Sequence, residues 1–383
     1  MLSNPVYVAT VLLLLVLFAE WLGQRKYFHY LGAALIVIIA TAILANLNLL
    51  PSSQNPSPLY DGIFTYAAPL AIFFLLLDVR LKDLKAAGLP TVVLFLAGSL
   101  TTITGTLVGY YLLAPQKHGV TQAYAVAGMY TGTYIGGSAN LNAVALQYGI
   151  NKNGTLFAAI NAADNIITTI WIIATIVLPP FLQRWLPRKK TQIGNQASMA
   201  ASAVNTDTIK ESMTIISLSL LLALGFGSLL LSQAVSLWVP QIPPILTLTT
   251  IALVLAQTSF VGRLKGGRVM GYFLVLLFLA VVGAYCDIAA LVNSGELALA
   301  LLAWVTVIVF IHGLLLFGLG GLFSQDWDIV SIASNANIGG ATSAAVLATS
   351  LGRADLRLPG ILVGSVGNAI GTYLGILIAE FLK

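Results

Sequence analysis

YTGTYIGGSANLNAVALQYG, residues 130–149, and its echo SNANIGGATSAAVLATSLG, residues 334–352, decide the fold. Each sets a glycine pair, Gly136 with Gly137 and Gly339 with Gly340, among hydroxyls and amides in a segment otherwise apolar enough for a membrane. Glycine loosens a helix. Thr, Ser and Asn offer local hydrogen bonds that compete with helical ones. Non-helical backbone at membrane depth survives only where protein buries it or a wet cavity solvates it. Paired interrupted segments in two halves of a chain point to the binding site of a secondary transporter.

Composition supports the membrane setting. The chain has 383 residues, 58% of them hydrophobic and 8% charged, with a mean hydropathy of +0.93. A soluble domain carries about 25% charged residues. The net charge of +5 comes from short basic clusters between apolar runs, which set topology and do not suggest nucleic-acid binding. One cysteine, Cys286, excludes an internal disulfide and argues against structural zinc. His29, His118 and His312 lie far apart in sequence. The first apolar run, 6–23, lacks a basic lead and an A-x-A site and reads as a retained span.

Apolar runs near 20 residues mark spans at 5–23, 29–50, 59–77, 88–114, 121–150 (interrupted) and 155–178. A polar linker, 179–211, follows. Spans resume at 212–239, 243–261, 269–286, 296–323, 328–351 (interrupted) and 358–382. The expected domains are a first half, 1–178, and a second, 212–383. In each half an outer set of spans (5–77 and 212–286) precedes an inner set (88–178 and 296–382). A shift of 203 residues lays Ile135-Gly136-Gly137 on Ile338-Gly339-Gly340, Asn165 on Asn368 and Thr169 on Thr372, which marks an internal repeat. Arg80, Lys82 and Lys85 follow span three, and Arg263, Lys265 and Arg268 precede span nine. The matching connections, 287–295 and 51–57, have no basic residue. The positive-inside rule then inverts the repeat. Twelve simple crossings conflict with this, because an even offset gives parallel repeats. The mismatch is assigned to 178–243, with 11 or 12 spans, and Arg353 and Arg357 fit an outside position poorly.

Asp164 is the sharpest single signal. It lies mid-span between Asn161 and Asn165, where a carboxylate costs at least ~2.5–3.5 kcal/mol and is functional by default. It can ligate sodium, the only expected cofactor, or exchange a proton; a structural carboxylate is the bland alternative. Thr131, Thr133, Ser138, Asn140 and Asn142 lie in the first break, and Asn335, Asn337, Thr342 and Ser343 in the second. Half-helix N-termini there favour an anionic group and unwound carbonyls a cation; tight helix packing is the alternative. Asp78, Asp287 and Glu20 read as interfacial, and His312 as a hydrogen-bonded structural histidine or a proton relay. No His-Glu-x-x-His or Gly-x-Ser-x-Gly is present, so an enzyme is not expected. An intramembrane Ser138–His312 dyad or a passive channel remains a distant alternative.

The Ile-Gly-Gly segments, with NAADN and SVGNAIGT after them, resemble the YjcL-like family of uncharacterised membrane proteins. That family looks related to cation/proton antiporters and to sodium–bile acid and sodium–glutamate symporters. The resemblance implies an all-α polytopic fold of two inverted repeats, with a panel domain and a core whose two broken helices, 121–150 and 328–351, cross. Antiporters of this kind carry an Asp-Asp or Asn-Asp pair where this chain has Asp164-Asn165. Some carry a lysine where it has Ser365, Gly367 and Asn368. Those surroundings look more like sodium-coupled symport. The expectation is a multi-pass protein of the plasma (inner) membrane that moves a small polar, perhaps anionic, solute with sodium or protons. A sodium/proton antiporter is the alternative. A homodimer is implied by resemblance alone.

Overall fold

The computed structural model describes residues 4–25, 32–52, 55–79, 81–191, 214–239, 242–286 and 295–383. Arg80, Asp287 and linker residues 192–211 lie outside these. Among the described residues every regular element is helical. The first half holds α1 (Pro5–Gly23), α2 (Gly32–Asn46), α3 (Pro58–Leu76), α4 (Leu89–Leu113), α5 (Ala123–Gly136), α6 (Ser138–Tyr148) and α7 (Gly154–Trp185). The second holds α8 (Ile215–Trp238), α9 (Pro244–Ala256), α10 (Gly267–Ala284), α11 (Gly295–Leu322), α12 (Trp327–Ile338), α13 (Gly340–Ser350) and α14 (Arg357–Leu382). Eight helices are long and apolar enough to cross a membrane, and α2 and α9 are shorter apolar helices. The protein is an all-α polytopic membrane protein.

Local sequence explains several boundaries. Asn153 caps α7 by accepting from the Leu156 amide at 3.1 Å, and Asp326 caps α12 through the Asp328 amide at 3.0 Å. Pro69 has no amide to donate, and α3 absorbs it with a π turn at Ile63–Ala67. α7 runs on through Pro179 and Pro180 to Trp185, beyond the linker start at 179 that the sequence suggests.

Contacts fix the direction of each helix. The Tyr7 hydroxyl reaches the Leu49 carbonyl, and Gly23 packs on Ala33, so α1 and α2 are antiparallel. Tyr272 donates to Glu20, setting the start of α10 beside the end of α1. Asn46 donates to the Cys286 carbonyl, setting its end beside the end of α2. Tyr60 stacks edge-on with Tyr285, while Gly271 meets Leu75, so α3 opposes α10. Gly105 lies on Ile308 and Gly109 on Trp304, so α4 opposes α11. α1–α3 and α8–α10 pack together, with α2 on α10 as α9 is on α3. In the other unit α14 packs on α5, α11 on α4 and α12 on α7.

The two broken segments are re-entrant. Tyr124 at the start of α5 contacts Tyr148 at the end of α6, ring centroids 5.6 Å apart. Gly132 faces Asn140, eight residues on; in a straight helix that separation is about 12 Å. Gly137, at φ 84°, reverses the chain. In the second segment Ser343 donates to Asn335 at 2.6 Å, again eight residues apart. Arg353, just past α13, pairs with Asp326 and Asp328 at the start of α12. Each segment therefore enters and leaves by one face.

This relocates the parity mismatch. α8 crosses once: Leu221 meets Gly267 at one end, and Leu229 and Ser232 share a cavity with Phe64 and Leu146 towards the other. The broken helices stand where the sequence puts them, but they return rather than pass through as the resemblance implies. The full crossings are α1, α2, α3, α4 and α7 in one half and α8, α9, α10, α11 and α14 in the other. An offset of five inverts the repeats. Lys85, Arg188, Lys190, Arg263, Lys265, Arg268, Arg353 and Arg357 then share one face, against Lys117, Lys152 and Lys383 on the other. The positive-inside rule makes the first face cytoplasmic, and Arg353 and Arg357 are no longer anomalous.

Candidate functional site

The tips of the two hairpins meet along the glycine face of α14. A side chain at Gly136 would strike the Gly367 carbonyl, and one at Gly367 the Ile135 carbonyl. Farther along, Gly371 faces Asn140, and Gly375 faces both Gly128 and Val144. The second hairpin approaches from the opposite end: Gly360 meets Ile332 and Ala344, and Gly364 meets Ala341. Gly364 and Gly367 are less than one helical turn apart, about 4.5 Å of rise. Two half-membrane hairpins, one from each face, thus end at one depth.

Around the first tip Ser138 is exposed and Asn368 half-buried. Asn140 is buried, and its Oδ1 accepts from Thr372 at 2.6 Å. Its Nδ2 has no hydrogen-bond partner. Around the second tip Thr342 is exposed and Ser343 half-buried. Asn335 Nδ2 donates to Thr175 at 3.0 Å. Asn337 is more internal, accepting from Ser99 and donating to the Phe95 carbonyl on α4. Thr131 donates to Thr106, also on α4. Thr133 and Asn142 are buried, and Ser365 donates to the Ile361 carbonyl of its own helix. Ser138, Asn140, Thr342, Ser343, Ser365 and Asn368 thus flank the meeting point, while Thr131 and Asn337 belong to helix packing.

Asp164 is buried on α7 and accepts a long bond of 3.4 Å from Thr168. Asn161 and Asn165 donate to carbonyls of their own helix, Phe157 at 2.9 Å and Asn161 at 2.8 Å. Among the described residues no basic side chain pairs with Asp164. Its neighbours from the first hairpin are Tyr130 and Tyr134. The sequence reading passes over both, because an aromatic in an apolar run reads as core. Their spacing of four, on a helix that faces a mid-span carboxylate, is the signal that was available.

His312 ties the elements together. It is fully buried. Its Nδ1 lies 3.1 Å from the Gly98 carbonyl, which can only accept, so Nδ1 carries the proton. Nε2 then accepts from Ser334 at 2.9 Å, and Ser334 in turn accepts from Trp171 Nε1 at 3.0 Å. Thr102, 2.9 Å from Nδ1, also reaches the Tyr134 carbonyl. One ring therefore links α4, α11, α12 and α7 and, through Thr102, the first hairpin.

The second hairpin has an ionic foot that the sequence did not reveal. Arg353 bonds Asp326 at 2.8 Å, Asp328 at 3.0 Å and Asp355 at 2.9 Å, and it donates to the Thr191 carbonyl at 2.6 Å. Burial works against the guanidinium charge, but the carboxylates overcome it and hold Arg353 more firmly protonated than usual. The Thr191 amide donates to Asp326, so the segment after α7 is strapped to the same foot.

The chain is similar to the uncharacterized membrane protein YjcL of Bacillus subtilis (strain 168), with 26% identity over 380 residues, 94% of this chain and 93% of that protein. A family profile described as "Protein of unknown function (DUF819)" matches residues 7–383, and the chain belongs to that family.

Proposed function

We propose that this protein is a secondary active transporter that works by alternating access, in a plasma membrane. The observation that carries the reading is the meeting of two oppositely inserted hairpins at one depth on α14, beside a buried carboxylate. Such a site can be opened to either face by moving the unit that holds both hairpins against α1–α3 and α8–α10. A cavity of about 200 Å³ between α6 and helices α3, α8 and α9 leaves room at that seam. The coupling ion, sodium or a proton, is assigned to Asp164. The solute is small and polar, and an anionic group is favoured because α6 and α13 both begin at the tips. Assembly as a homodimer belongs to the same reading.

A sodium/proton antiporter without organic solute is the second reading. Asp164, without a basic partner among the described residues, could take a sodium ion and a proton in turn, which serves this reading as it serves the first. Internal pH in proteoliposomes after a sodium pulse separates the two. A sodium-driven proton flux that Asp164→Asn abolishes selects the antiporter. No flux in either protein selects symport, and solutes are then screened for sodium-dependent uptake. Coupled transport that is unchanged in Asp164→Asn removes Asp164 from both.

A further inference from the structure

Two tyrosine hydroxyls near Asp164 are buried without a well-formed hydrogen bond, Tyr134 lying within long polar reach of Asp164 and Thr168. Tyr130 and Tyr134 are both fully enclosed, and their rings stack at 6.1 Å and 14°. Neither hydroxyl makes a hydrogen bond of ordinary length and angle. Buried polar groups of a folded protein are nearly always satisfied, and exceptions ask for an ion or another function. Of the six such side-chain atoms among the described residues, these two fall within the field of one carboxylate. Thr168 stands next to the Tyr134 hydroxyl and makes only a 3.4 Å bond to Asp164. His312 is not free to help, since its nitrogens are engaged by Gly98 and Ser334.

We propose that Asp164, Thr168, Tyr130 and Tyr134 form one monovalent-cation site that takes sodium, with the two phenol oxygens as ligands. The proposal rests on the transport reading and names its coupling ion. A proton on Asp164 is a single donor and answers a single acceptor, leaving the other phenol as it is. A hard cation draws on several oxygens at once. Each phenol can turn a lone pair to the ion and keep its O–H for the carboxylate. The stacked rings come from positions four apart on one helix face, and the negative carboxylate supplies the charge balance for a single positive ion. Tyr134 is two residues from the tip glycine Gly136, so occupancy of the site bears directly on the hairpin tip.

The test is binding of radioactive sodium to the purified full-length protein, with no solute present. Wild type is expected to bind saturably. Tyr130→Phe and Tyr134→Phe each weaken binding roughly tenfold or more, and Asp164→Asn abolishes it. Phenylalanine keeps the ring stack, and melting temperature without sodium checks that the variants fold. Should either fail to fold, Thr168→Val makes the same test from the other side of the site. An infrared band of the Asp164 carboxylate that shifts on sodium addition supports the assignment. A wild type that binds no sodium, while the same band shows proton uptake, overturns it and leaves proton-coupled transport standing. Sodium binding that survives both Tyr→Phe changes also overturns it.

Discussion

Arg353 and Asp328 are 25 residues apart in the chain and 3.0 Å apart in space, joined across the two feet of one hairpin. Both are buried, and Asp326 shares the same guanidinium nitrogen. Removing the arginine takes from Asp326 its ion pair and leaves Asp328 only the more exposed Lys190, 3.3 Å away. Arg353→Ala is expected to cost about 3–5 kcal/mol, read as a fall in melting temperature and faster amide exchange over 327–350. Adding Asp326→Asn should restore part of the loss, because the carboxylate whose ion pair was lost is then uncharged and asparagine still caps α12.

The return of each hairpin has a direct labelling consequence. Lys117 and Lys152 flank the first hairpin and should lie on one side of the membrane, opposite Lys265 and Arg357. Single cysteines at these positions, in a Cys286→Ser background, are to be labelled with an impermeant maleimide in intact cells and in inverted vesicles. Labelling of positions 117 and 152 from opposite sides would mean that the segment passes through, and the hairpin description would fall.

Backbone contact at the tips leaves no room for a methyl group. Gly367→Ala drives a Cβ into the Ile135 carbonyl and should cost ~3 kcal/mol or more, since neither backbone can yield cheaply. Gly318, on the same kind of apolar helix, has nothing within contact distance of an added Cβ, and Gly318→Ala should stay within ~0.5 kcal/mol. Thermal unfolding of the two variants side by side checks the contrast.

His312→Ala should destabilise by roughly 2–4 kcal/mol, because it empties a fully buried site and takes from the Ser334 hydroxyl its acceptor, while the Gly98 carbonyl keeps the Thr101 hydroxyl. The neutral form with its proton on Nδ1 is checked by the nitrogen chemical shifts of labelled histidine. A proton on Nε2 would reverse only the Ser334–His312 bond, since the Trp171 indole N–H can only donate.

Much of this architecture is legible in the sequence. The two glycine pairs and the basic clusters near 80–85 and 263–268 identify the breaks and the inversion, and Asp164 stands out as a buried mid-span carboxylate. The path of the breaks was not legible, because a Gly-Gly interruption looks the same whether the chain continues or turns back. That difference is written in long-range contacts, Tyr124 with Tyr148 and Arg353 with Asp326. One clue stood in the sequence: Arg353 and Arg357 sat on the wrong face under the pass-through reading. The Tyr130–Tyr134 pair was hidden for another reason. Burial makes a tyrosine look like core, and only geometry shows that its hydroxyl has gone unanswered.

The shared depth of the hairpin tips also has an electrical meaning. A charge that moves between either face and this depth crosses about half of the membrane, and so about half of the voltage. At 100 mV that is ~1 kcal/mol per elementary charge. Occupancy by any ion at this level is therefore sensitive to membrane potential from both directions, with opposite sign. Under the alternating access proposed above, a resting potential would bias loading from one side and release to the other with no further machinery.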